Sequence, residues 1–307
     1  MLPIRVLNFD DSLSLQHELI TRFNPVFTDL REFSPYCRQW MNMATLRRLK
    51  SALDPTLKNS ITFLGSGDFH HISSLLIEQF SDPISLIVFD HHPDWDILPP
   101  KYGCGSWVTQ VLKMPNLQKV VLLGVSSHDI STFAIHTGNL KALENNRVEI
   151  YPYQHPPTKV VFRKVPDNCS IEVKRDFLLS EIRWRELKKR NLSEFFALLK
   201  ERIPTKQIYI SIDKDCLHPD YALTNWEKGY FKLDELLLLL KMFKDNFSLV
   251  GVDITGDYSP IVKIHGRLKA KLAAWDHPQD YTARSHTIYD IGLINESTNI
   301  KILETLT

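Results

Sequence analysis

The sequence predicts an α/β fold, in which a mainly parallel central sheet lies between two layers of helices. Apolar runs of about strand length recur along the chain, and segments with apolar residues at three- and four-residue spacing separate them. This alternation is typical of parallel sheets that helices cover on both faces. The chain has 307 residues, which is enough for one large domain of this kind.

The predicted elements follow from the position of these runs along the chain. Strands are predicted at residues 4–9, 61–64, 85–89, 119–125, 147–151, 207–212 and 248–254. Helices are predicted at 36–53, 72–80, 106–113, 128–144, 192–202 and 233–243. The loop-rich stretches 152–158 and 166–170 could mark an insertion, but neither has the composition of a flexible linker. We therefore expect a single domain.

The composition excludes several functional classes. The chain is 43% hydrophobic and 24% charged, as is usual for folded chains and unlike disordered ones. With 37 Lys and Arg against 36 Asp and Glu, it lacks the field that would attract nucleic acid or an anionic membrane. The longest apolar run, 236–240, lies within a predicted helix, and the first residues do not read as a signal peptide. We expect a cytoplasmic protein.

A first group of chemically active side chains follows the predicted strand at 85–89. The sequence DHHPDWD at residues 90–96 places three carboxylates and two imidazoles within seven residues. When buried together, such groups repel or desolvate one another unless a cation neutralises them, and mixed oxygen and imidazole ligands suit Mn²⁺, Fe²⁺ or Zn²⁺. A solvated acidic loop, in which Pro93 supports a turn, is the structural alternative.

A second group ends the predicted strand at 207–212. Asp213 and Asp215 stand two residues apart, so both side chains point to the same face of the strand. Two like charges held on one face require a shared cation or a shared proton. The pair therefore repeats the signal given by residues 90–96.

Two more groups complete the pattern. The sequence GSGDFHH at 65–71 turns through two glycines and brings His70 or His71 to the end of a strand, while Asp68 is expected to cap the next helix. The sequence GVDITGD at 251–257 ends the last predicted strand. Because open α/β sheets place their active sites at the carboxyl ends of the strands, the four groups predict one site there.

In their order along the chain, these motifs resemble the ureohydrolase superfamily of arginases, agmatinases and formimidoylglutamases. The order is G-D-x-H, then D-x-H-x-D, then S-x-D-x-D-x-x-x-P, then a G-x-D strand end, over about residues 61–260. The motifs GSGD-aromatic-H, HPDWD and SIDKD are most similar to an atypical branch that converts arginine to ornithine inside peptides. The resemblance implies a three-layer arginase-like catalytic domain over 1–307, with 1–60 and 265–307 as weakly matched extensions.

The resemblance also implies a binuclear manganese centre with two Mn²⁺ per chain. One ion would be held by His70, Asp90, Asp94 and Asp213, and the other by Asp90, His92, Asp213 and Asp215. Asp90 and Asp213 would then bridge the two ions. Phe69 stands where the family usually has the first histidine ligand, so His71 remains an alternative to His70. Two cations that share a water provide hydroxide near neutral pH, which can attack a guanidinium carbon.

Candidates for proton transfer lie where the chain departs from the family pattern. Cys104 aligns with the family's proton-shuttling histidine, and a small buried residue is its structural alternative. His218 replaces a common Asp just beyond the metal ligands, and it is a candidate catalytic group or a loop residue. If Cys104 is not the acid, His218, His265 or the water between the metals would take that role.

Candidate substrate-binding residues follow the second and fourth motifs. Asp257 is the candidate acid that holds the guanidinium, Asp253 is its competitor, and a structural cap is the alternative for both. Trp226, Glu227 and Tyr230 replace the family's usual loop rich in Gly, Thr and Pro. Aromatic residues on such a loop favour a wide mouth that makes many contacts, and a packed loop is the simpler alternative.

The leading functional hypothesis is a manganese-dependent hydrolase that converts arginine residues in a peptide to ornithine with release of urea. The interval 95–103 lacks the Ser, Thr and Asn side chains with which free-arginine enzymes hold the amino acid. The alternatives are a hydrolase of a free small guanidino compound, a single-metal zinc deacylase of the deacetylase kind and a non-hydrolytic metal-binding relative. Nucleic acid and membrane are not expected as partners, and assembly into a homo-oligomer is left open.

Overall fold

An eight-stranded parallel sheet forms the middle layer of the protein. The computed structural model describes residues 2–53, 58–163, 165–175, 179–260, 264–267, 269–271 and 286–307. The strands in chain order are β1 (Ile4–Asn8), β2 (Val26–Asp29), β3 (Ile61–Gly65), β4 (Ile84–Phe89), β5 (Leu117–Leu123), β6 (Val148–Tyr151), β7 (Thr158–Val161), β8 (Ile171–Arg175), β9 (Leu179–Trp184), β10 (Gln207–Asp213) and β11 (Ser248–Thr255).

The strand order brings the candidate motifs together. The main sheet has the order β2-β1-β3-β11-β10-β4-β5-β6, and β7, β9 and β8 form a separate antiparallel sheet. The four strands that end in candidate site residues, β3, β11, β10 and β4, are therefore direct neighbours in the middle of the main sheet. Since all four run in the same direction, their carboxyl ends meet at one edge.

Helices cover both faces of the sheet. They are α1 (His17–Phe23), α2 (Ser34–Cys37), α3 (Met43–Ala52), α4 (Ser73–Ile77), α5 (Trp107–Val111), α6 (Leu140–Glu144), α7 (Leu192–Lys200), α8 (Leu233–Asn246) and α9 (Ile288–Leu306). Apolar residues of α2 to α6 belong to the core on one face, and those of α1 and α7 to α9 belong to the core on the other. The three-layer architecture predicted from the sequence is confirmed.

The strands serve both cores because their side chains alternate. In β4, Leu86 and Val88 belong to one core, whereas Ile87 and Phe89 belong to the other. Strands buried on both faces are nearly continuous in apolar residues, which is why they could be recognised in the sequence.

Helix α8 shows how a helical pattern fixes its packing. Its buried residues Leu233, Leu236, Leu240 and Phe243 recur at three- and four-residue spacing and form one stripe against the sheet. The helix begins where Glu235 accepts a hydrogen bond from the backbone N–H of Lys232 (3.0 Å).

The segment predicted as one helix at 128–144 is shorter and interrupted. It contains 3₁₀ turns at His128–Ile130 and Ile135–Thr137, and only α6 at its end is α-helical. Gly138 lies directly against Trp95, where a side chain would collide. Asn139 then caps α6, because its side chain accepts a hydrogen bond from Ala142 N (3.2 Å).

The predicted helix at 36–53 is likewise divided into α2 and α3. Gln39 has a positive φ of 64°, which ends the first helical segment. Asn42 starts the second, since its side chain accepts a hydrogen bond from Thr45 N (2.9 Å). The sequence pattern contained the apolar spacing of both helices but not the turn between them.

Several elements were not predicted. Strand β2 extends the main sheet at its edge, the antiparallel sheet of β7 to β9 occupies the loop-rich region, and α9 packs against α8 and α1. The N-terminal stretch thus supplies two strands of the main sheet. Among the residues that the structure describes, no helix is long and apolar enough to cross a lipid bilayer.

Candidate metal centre

His70 meets three carboxylates at the carboxyl edge of the sheet. Its Nδ1 atom lies 3.1 Å from Asp90 Oδ2, 3.2 Å from Asp94 Oδ2 and 3.6 Å from Asp213 Oδ2. All four side chains are buried. Asp94 has a positive φ of 47°, a conformation that costs a non-glycine residue about 1–3 kcal/mol and is common at functional sites.

His92 forms a second group beside the first. Its Nδ1 atom lies 2.9 Å from Asp215 Oδ2 and 3.6 Å from Asp90 Oδ1. The backbone holds both carboxylates, because His92 N donates to Asp90 Oδ1 (2.7 Å) and His91 N donates to Asp215 Oδ1 (3.0 Å). Asp90 therefore faces His70 with one oxygen and His92 with the other.

Asp213 is enclosed so tightly that glycine is required on two sides of it. A Cβ atom on Gly67 would lie 2.9 Å from Asp213 Oδ2, and one on Gly256 would lie 2.5 Å from Asp213 Oδ1. Gly256 also has a positive φ of 86°, which glycine adopts readily. Asp213 Oδ1 accepts a hydrogen bond from Asp215 N (3.0 Å), so the backbone of the turn orients this carboxylate too.

A hydrogen-bond chain determines which nitrogen of His70 faces the cluster. Ser211 Oγ donates to Asp253 Oδ1 (2.6 Å) and lies 2.8 Å from His70 Nε2. Because the hydroxyl proton is committed to Asp253, Ser211 accepts the Nε2 proton of His70. When a cation displaces the second proton of His70, the free lone pair is then on Nδ1, the nitrogen that faces the carboxylates, as a metal ligand requires.

The neighbouring His71 has no such arrangement. Within the part of the chain that the structure describes, neither ring nitrogen of His71 has a hydrogen-bond partner. Burial lowers the pKa of His71 to about 3, and positive charge on Lys269 adds to the effect. The structure thus brings His70, and not His71, into the cluster. The carboxylate of Asp68 pairs with Arg38 at 2.6 Å.

Trp107 completes the surroundings of the first group. Its indole Nε1 donates to Asp94 Oδ2 at 2.7 Å, and its ring packs 4.8 Å from the ring of His70. The single residue therefore fixes a carboxylate and an imidazole of the same group.

Burial and mutual repulsion alter the protonation of the cluster. Burial raises the pKa of Asp94 to about 7, and the charge of Asp90 adds to this effect. Burial, together with Asp215 and Asp90, also raises the pKa of Asp213 well above its usual value. Burial disfavours charge on His70 and His92, yet the adjacent carboxylates outweigh it and raise both pKa values. Near neutral pH the cluster therefore retains protons that free side chains would lose.

The donor set fits two divalent cations. His70, Asp90 and Asp94 form one possible ligand group, and Asp90, His92 and Asp215 form another, with the ligand atoms of each group within 4.8 Å of one another. The two groups share Asp90. The cluster retains protons because its buried carboxylates repel one another, and bound cations would replace these protons.

A rim of aromatic and charged residues lies beside the second group. The ring of Trp226 is 5.6 Å from the ring of His92, and Tyr230 is 6.3 Å from the rings of both His91 and Tyr153. Glu227 Oε2 lies 3.5 Å from His91 Nε2 and 3.3 Å from His92 Nε2. The structure thus brings the three predicted rim residues to the centre.

Asp257 is placed differently from the sequence expectation. Its carboxylate has no exposed surface, and its Oδ1 atom accepts hydrogen bonds from Lys214 Nζ (2.7 Å), Gln16 Nε2 (2.8 Å) and Asn299 Nδ2 (3.2 Å). Lys214 is also completely buried. These contacts close the carboxylate to a substrate, so we assign Asp257 a structural role in place of the predicted catalytic and guanidinium-binding ones.

The predicted proton-transfer residues also lie outside the two ligand groups. His218 is about half exposed, with Nδ1 3.2 Å from Asp220 Oδ2, and the ring of His265 packs 4.6 Å from Tyr36. Cys104 lies within electrostatic range of Asp94. Burial raises the pKa of its thiol well above the usual value, and the charges of Asp94 and Asp68 add to the effect.

Sequence reasoning gave no role to Ser211, Trp107 or His91. Ser211 stands two residues before Asp213 on β10, so its place on the same face could have been inferred from strand periodicity. His91 was visible as the middle residue of the D-H-H motif. No local pattern indicates Trp107, because it is 13 positions away from Asp94 along the chain.

Two comparisons with known protein sequences match parts of this chain. Residues 162–275 match the arginase family, a segment that contains Asp213 and Asp215. A protein of Thermotoga maritima of uncharacterised function is 27% identical over 202 residues, which are 66% of this chain and 59% of that protein. The match therefore spans about three fifths of the relative's length.

Several solved structures share the fold across nearly the whole chain. They are an arginase from Bacillus subtilis (12% identity, 99% of this chain and 98% of that chain, TM-score 0.57), proclavaminate amidino hydrolase from Streptomyces clavuligerus (12%, 100% and 92%, 0.55) and a hypothetical agmatinase from Burkholderia thailandensis (13%, 99% and 86%, 0.52). The family match over residues 162–275 and the common fold support the resemblance to the ureohydrolase superfamily that the motifs predicted.

The role of Asp257 can be tested by Asp257→Asn. The variant leaves Lys214 buried without its counter-charge, so we expect the free energy of unfolding to fall by about 3–5 kcal/mol. Urea denaturation of the metal-free protein measures this. Asp245→Asn, which breaks the exposed pair of Asp245 with Lys241, is the matched control and should have little effect. If the stability of the variant were unchanged and its KM for a guanidino substrate were raised, Asp257 would instead be assigned to substrate binding.

The choice between the two adjacent histidines can be tested by metal content. His70→Ala removes the nitrogen donor of one ligand group, so we expect the manganese-loaded protein to retain one ion fewer after desalting. His71→Ala should retain the wild-type number, provided that circular dichroism shows a native fold. Elemental analysis measures both, and the opposite pattern would move the ligand by one position.

Metal affinity should depend on pH. Lowering the pH adds protons to Asp94, whose pKa is about 7, and keeps His70 and His92 protonated, so each cation must displace protons. We expect the Mn²⁺ affinity to fall between about pH 8 and pH 6, by about tenfold per pH unit for each proton displaced. Isothermal titration calorimetry measures the affinity, and a constant affinity over this range would contradict the protonation argument.

Proposed function

We propose that the protein is a binuclear, metal-dependent hydrolase of a guanidino group, and that arginine residues in peptides are its substrates. The observation that carries the proposal is the pair of ligand groups that share Asp90. The products would be a peptide that contains ornithine, and urea.

The ligand count favours this activity over a single-metal zinc deacylase. A deacylase of that kind needs one group of ligands, whereas here His92 and Asp215 form a second group beside His70 and Asp94. Two cations are needed to neutralise four buried carboxylates. If only one cation were bound, the buried charges of the second group would cost desolvation energy that no metal offsets.

The donor chemistry supports manganese as the metal. Each ligand group combines two carboxylates with one imidazole, and neither contains a thiolate. Oxygen-rich donor sets of this kind suit Mn²⁺, whereas structural zinc sites are rich in cysteine.

The residues of the chain hold and orient the reacting groups. When bound, the two cations would lower the pKa of a water, so that it supplies a nucleophile near neutral pH. Ser211 and Asp253 keep Nδ1 of His70 directed at its ion, and Trp107 keeps Asp94 in place. The raised pKa keeps the Cys104 thiol protonated, so we do not assign Cys104 as a nucleophile.

The reaction balances without any co-reactant. The oxygen of one water molecule forms a bond to the guanidino carbon, and the bond from this carbon to Nε of the arginine side chain breaks. The arginine side chain is a guanidinium cation at neutral pH, so both water protons end on the departing nitrogen, and the two NH₂ groups pass unchanged into urea. The amine, which is protonated at neutral pH, becomes the ammonium group of ornithine.

The mouth of the site supports a substrate longer than a free amino acid. The segment after Asp94 exposes Ile97 and Leu98, and the Asp96 carboxylate is engaged by Thr137 at 2.9 Å. Tyr230 is 43% exposed, and Trp226 stands beside His92. Apolar and aromatic surface of this kind suits the neighbouring residues of a peptide better than a zwitterionic amino acid.

Urea release from paired substrates tests the function. The manganese-loaded protein is assayed with an arginine-containing peptide, free arginine and agmatine, and mass spectrometry follows the loss of CN₂H₂ from the peptide. We expect kcat/KM to be highest for the peptide and activity to disappear in Asp213→Ala, which removes an inner carboxylate of the cluster.

Each alternative gives a different result in this assay. Equal or better turnover of free arginine or agmatine would assign a small guanidino substrate. Deacylation of an acyl-lysine peptide by the zinc-loaded protein, without urea release, would assign the deacylase. Metal binding without turnover of any of these substrates would contradict the proposed hydrolase.

A further inference from the structure

Glu227 lies beside the Nε2 atoms of both histidines of the D-H-H motif. Its Oε2 atom lies 3.3 Å from His92 Nε2 and 3.5 Å from His91 Nε2. The Glu227 side chain is 60% exposed, whereas those of His91 and His92 are 6% and 16% exposed. The exposed carboxylate of Glu227 thus contacts the largely buried rings of His91 and His92.

The ring of His92 connects this carboxylate to the metal cluster. Its Nδ1 atom faces Asp215 at 2.9 Å, and its Nε2 atom faces Glu227. When a cation replaces the proton on the Nδ1 side, the neutral imidazole keeps one proton on Nε2, where the Glu227 carboxylate accepts it. The lone pair then stays on Nδ1, the nitrogen that faces the cluster.

The loop that carries Glu227 is anchored at several points. Phe231 N donates to Cys216 O (3.0 Å), and His218 N donates to Phe231 O (2.8 Å). The Asn225 side chain accepts from Ser66 Oγ (3.0 Å) and Ser259 N (3.0 Å), which ties the loop to the ends of β3 and β11. These bonds limit the positions that the Glu227 backbone can adopt.

We infer that Glu227 is a positioning residue, which acts through His92 to set the affinity of the second metal site rather than by contact with substrate. The inference rests on the binuclear centre of the proposed function but not on the identity of the substrate. His70 is oriented in the same way from its Nε2 side by Ser211 and Asp253. Each histidine therefore has a polar partner at Nε2. For His70 the partners come from β10 and β11, and for His92 the partner comes from the loop between β10 and α8.

Two other roles for Glu227 make different predictions. A guanidinium-binding carboxylate would change KM without changing metal affinity. His91, His92 and Glu227 also have ligand atoms within 4.8 Å of one another, so they could hold a third cation. That cation would need the Nε2 lone pair of His92, which is unavailable when Nε2 carries the proton.

Mn²⁺ titration of the whole chain by calorimetry tests the inference. In Glu227→Ala we expect one of the two sites to weaken by about 10–100-fold, the usual effect of removing a carboxylate behind a metal-bound histidine. Glu227→Gln should be intermediate, because its amide oxygen still accepts a hydrogen bond. Glu201→Gln, at an exposed position of the chain, is the matched control and should bind like wild type.

The remaining outcomes separate this inference from the proposed function. Wild-type metal affinities in Glu227→Ala, with a raised KM for the arginine peptide, would overturn it in favour of substrate contact. Three ions in the wild type and two in the variant would overturn it in favour of a cation site. If the variant loses metal affinity but the wild type releases no urea from any guanidino substrate, the inference stands and the proposed function fails. Thermal unfolding of the metal-free variants should match wild type, since Glu227 is exposed.

Discussion

Burial of four carboxylates at one edge of the sheet is the constraint on which the rest of the site depends. Asp90, Asp94, Asp213 and Asp215 are each at most 7% exposed. The two imidazoles among them can supply at most two positive charges. A folded protein tolerates such a group only when cations or protons neutralise it, so the electrostatics of the cluster, like the arrangement of its ligand atoms, favour a metal centre.

The surrounding structure holds these charges in place. Backbone N–H groups bind three of the carboxylates, and Trp107 binds the fourth. Behind the cluster, Lys214 and Asp257 form a completely buried ion pair that Gln16 and Asn299 complete. Asn299 belongs to α9 and Gln16 precedes α1, so the two ends of the chain support the turn between Asp213 and Asp215. The terminal segments are therefore part of the architecture of the centre.

The sequence predicted the features that depend on local pattern. The strands that carry the motifs were found because they are continuous in apolar residues, and Asp213 and Asp215 were placed on one face by strand periodicity. The ligand set came from the resemblance, and the structure brings all six of those side chains together.

Features that depend on contacts between distant segments could not be predicted in this way. The family resemblance suggested Asp257 as a substrate ligand, whereas its pairing with Lys214 depends on the packing of β11 against β10. Trp107, at the start of α5, contacts Asp94 from 13 positions away along the chain. Glu227 was predicted only as a substrate-binding residue, and it contacts His92 from 135 positions away. The helix predicted at 128–144 is likewise interrupted at Gly138, where the ring of Trp95 lies against the backbone.

We propose that the cluster binds two metal ions, and the proposed function rests on this claim. The most direct test is a crystal structure of the manganese-loaded protein with anomalous diffraction data. We predict two anomalous peaks, one beside His70 and Asp94 and one beside His92 and Asp215, with Asp90 between them. A single peak, or peaks away from these residues, would contradict the claim.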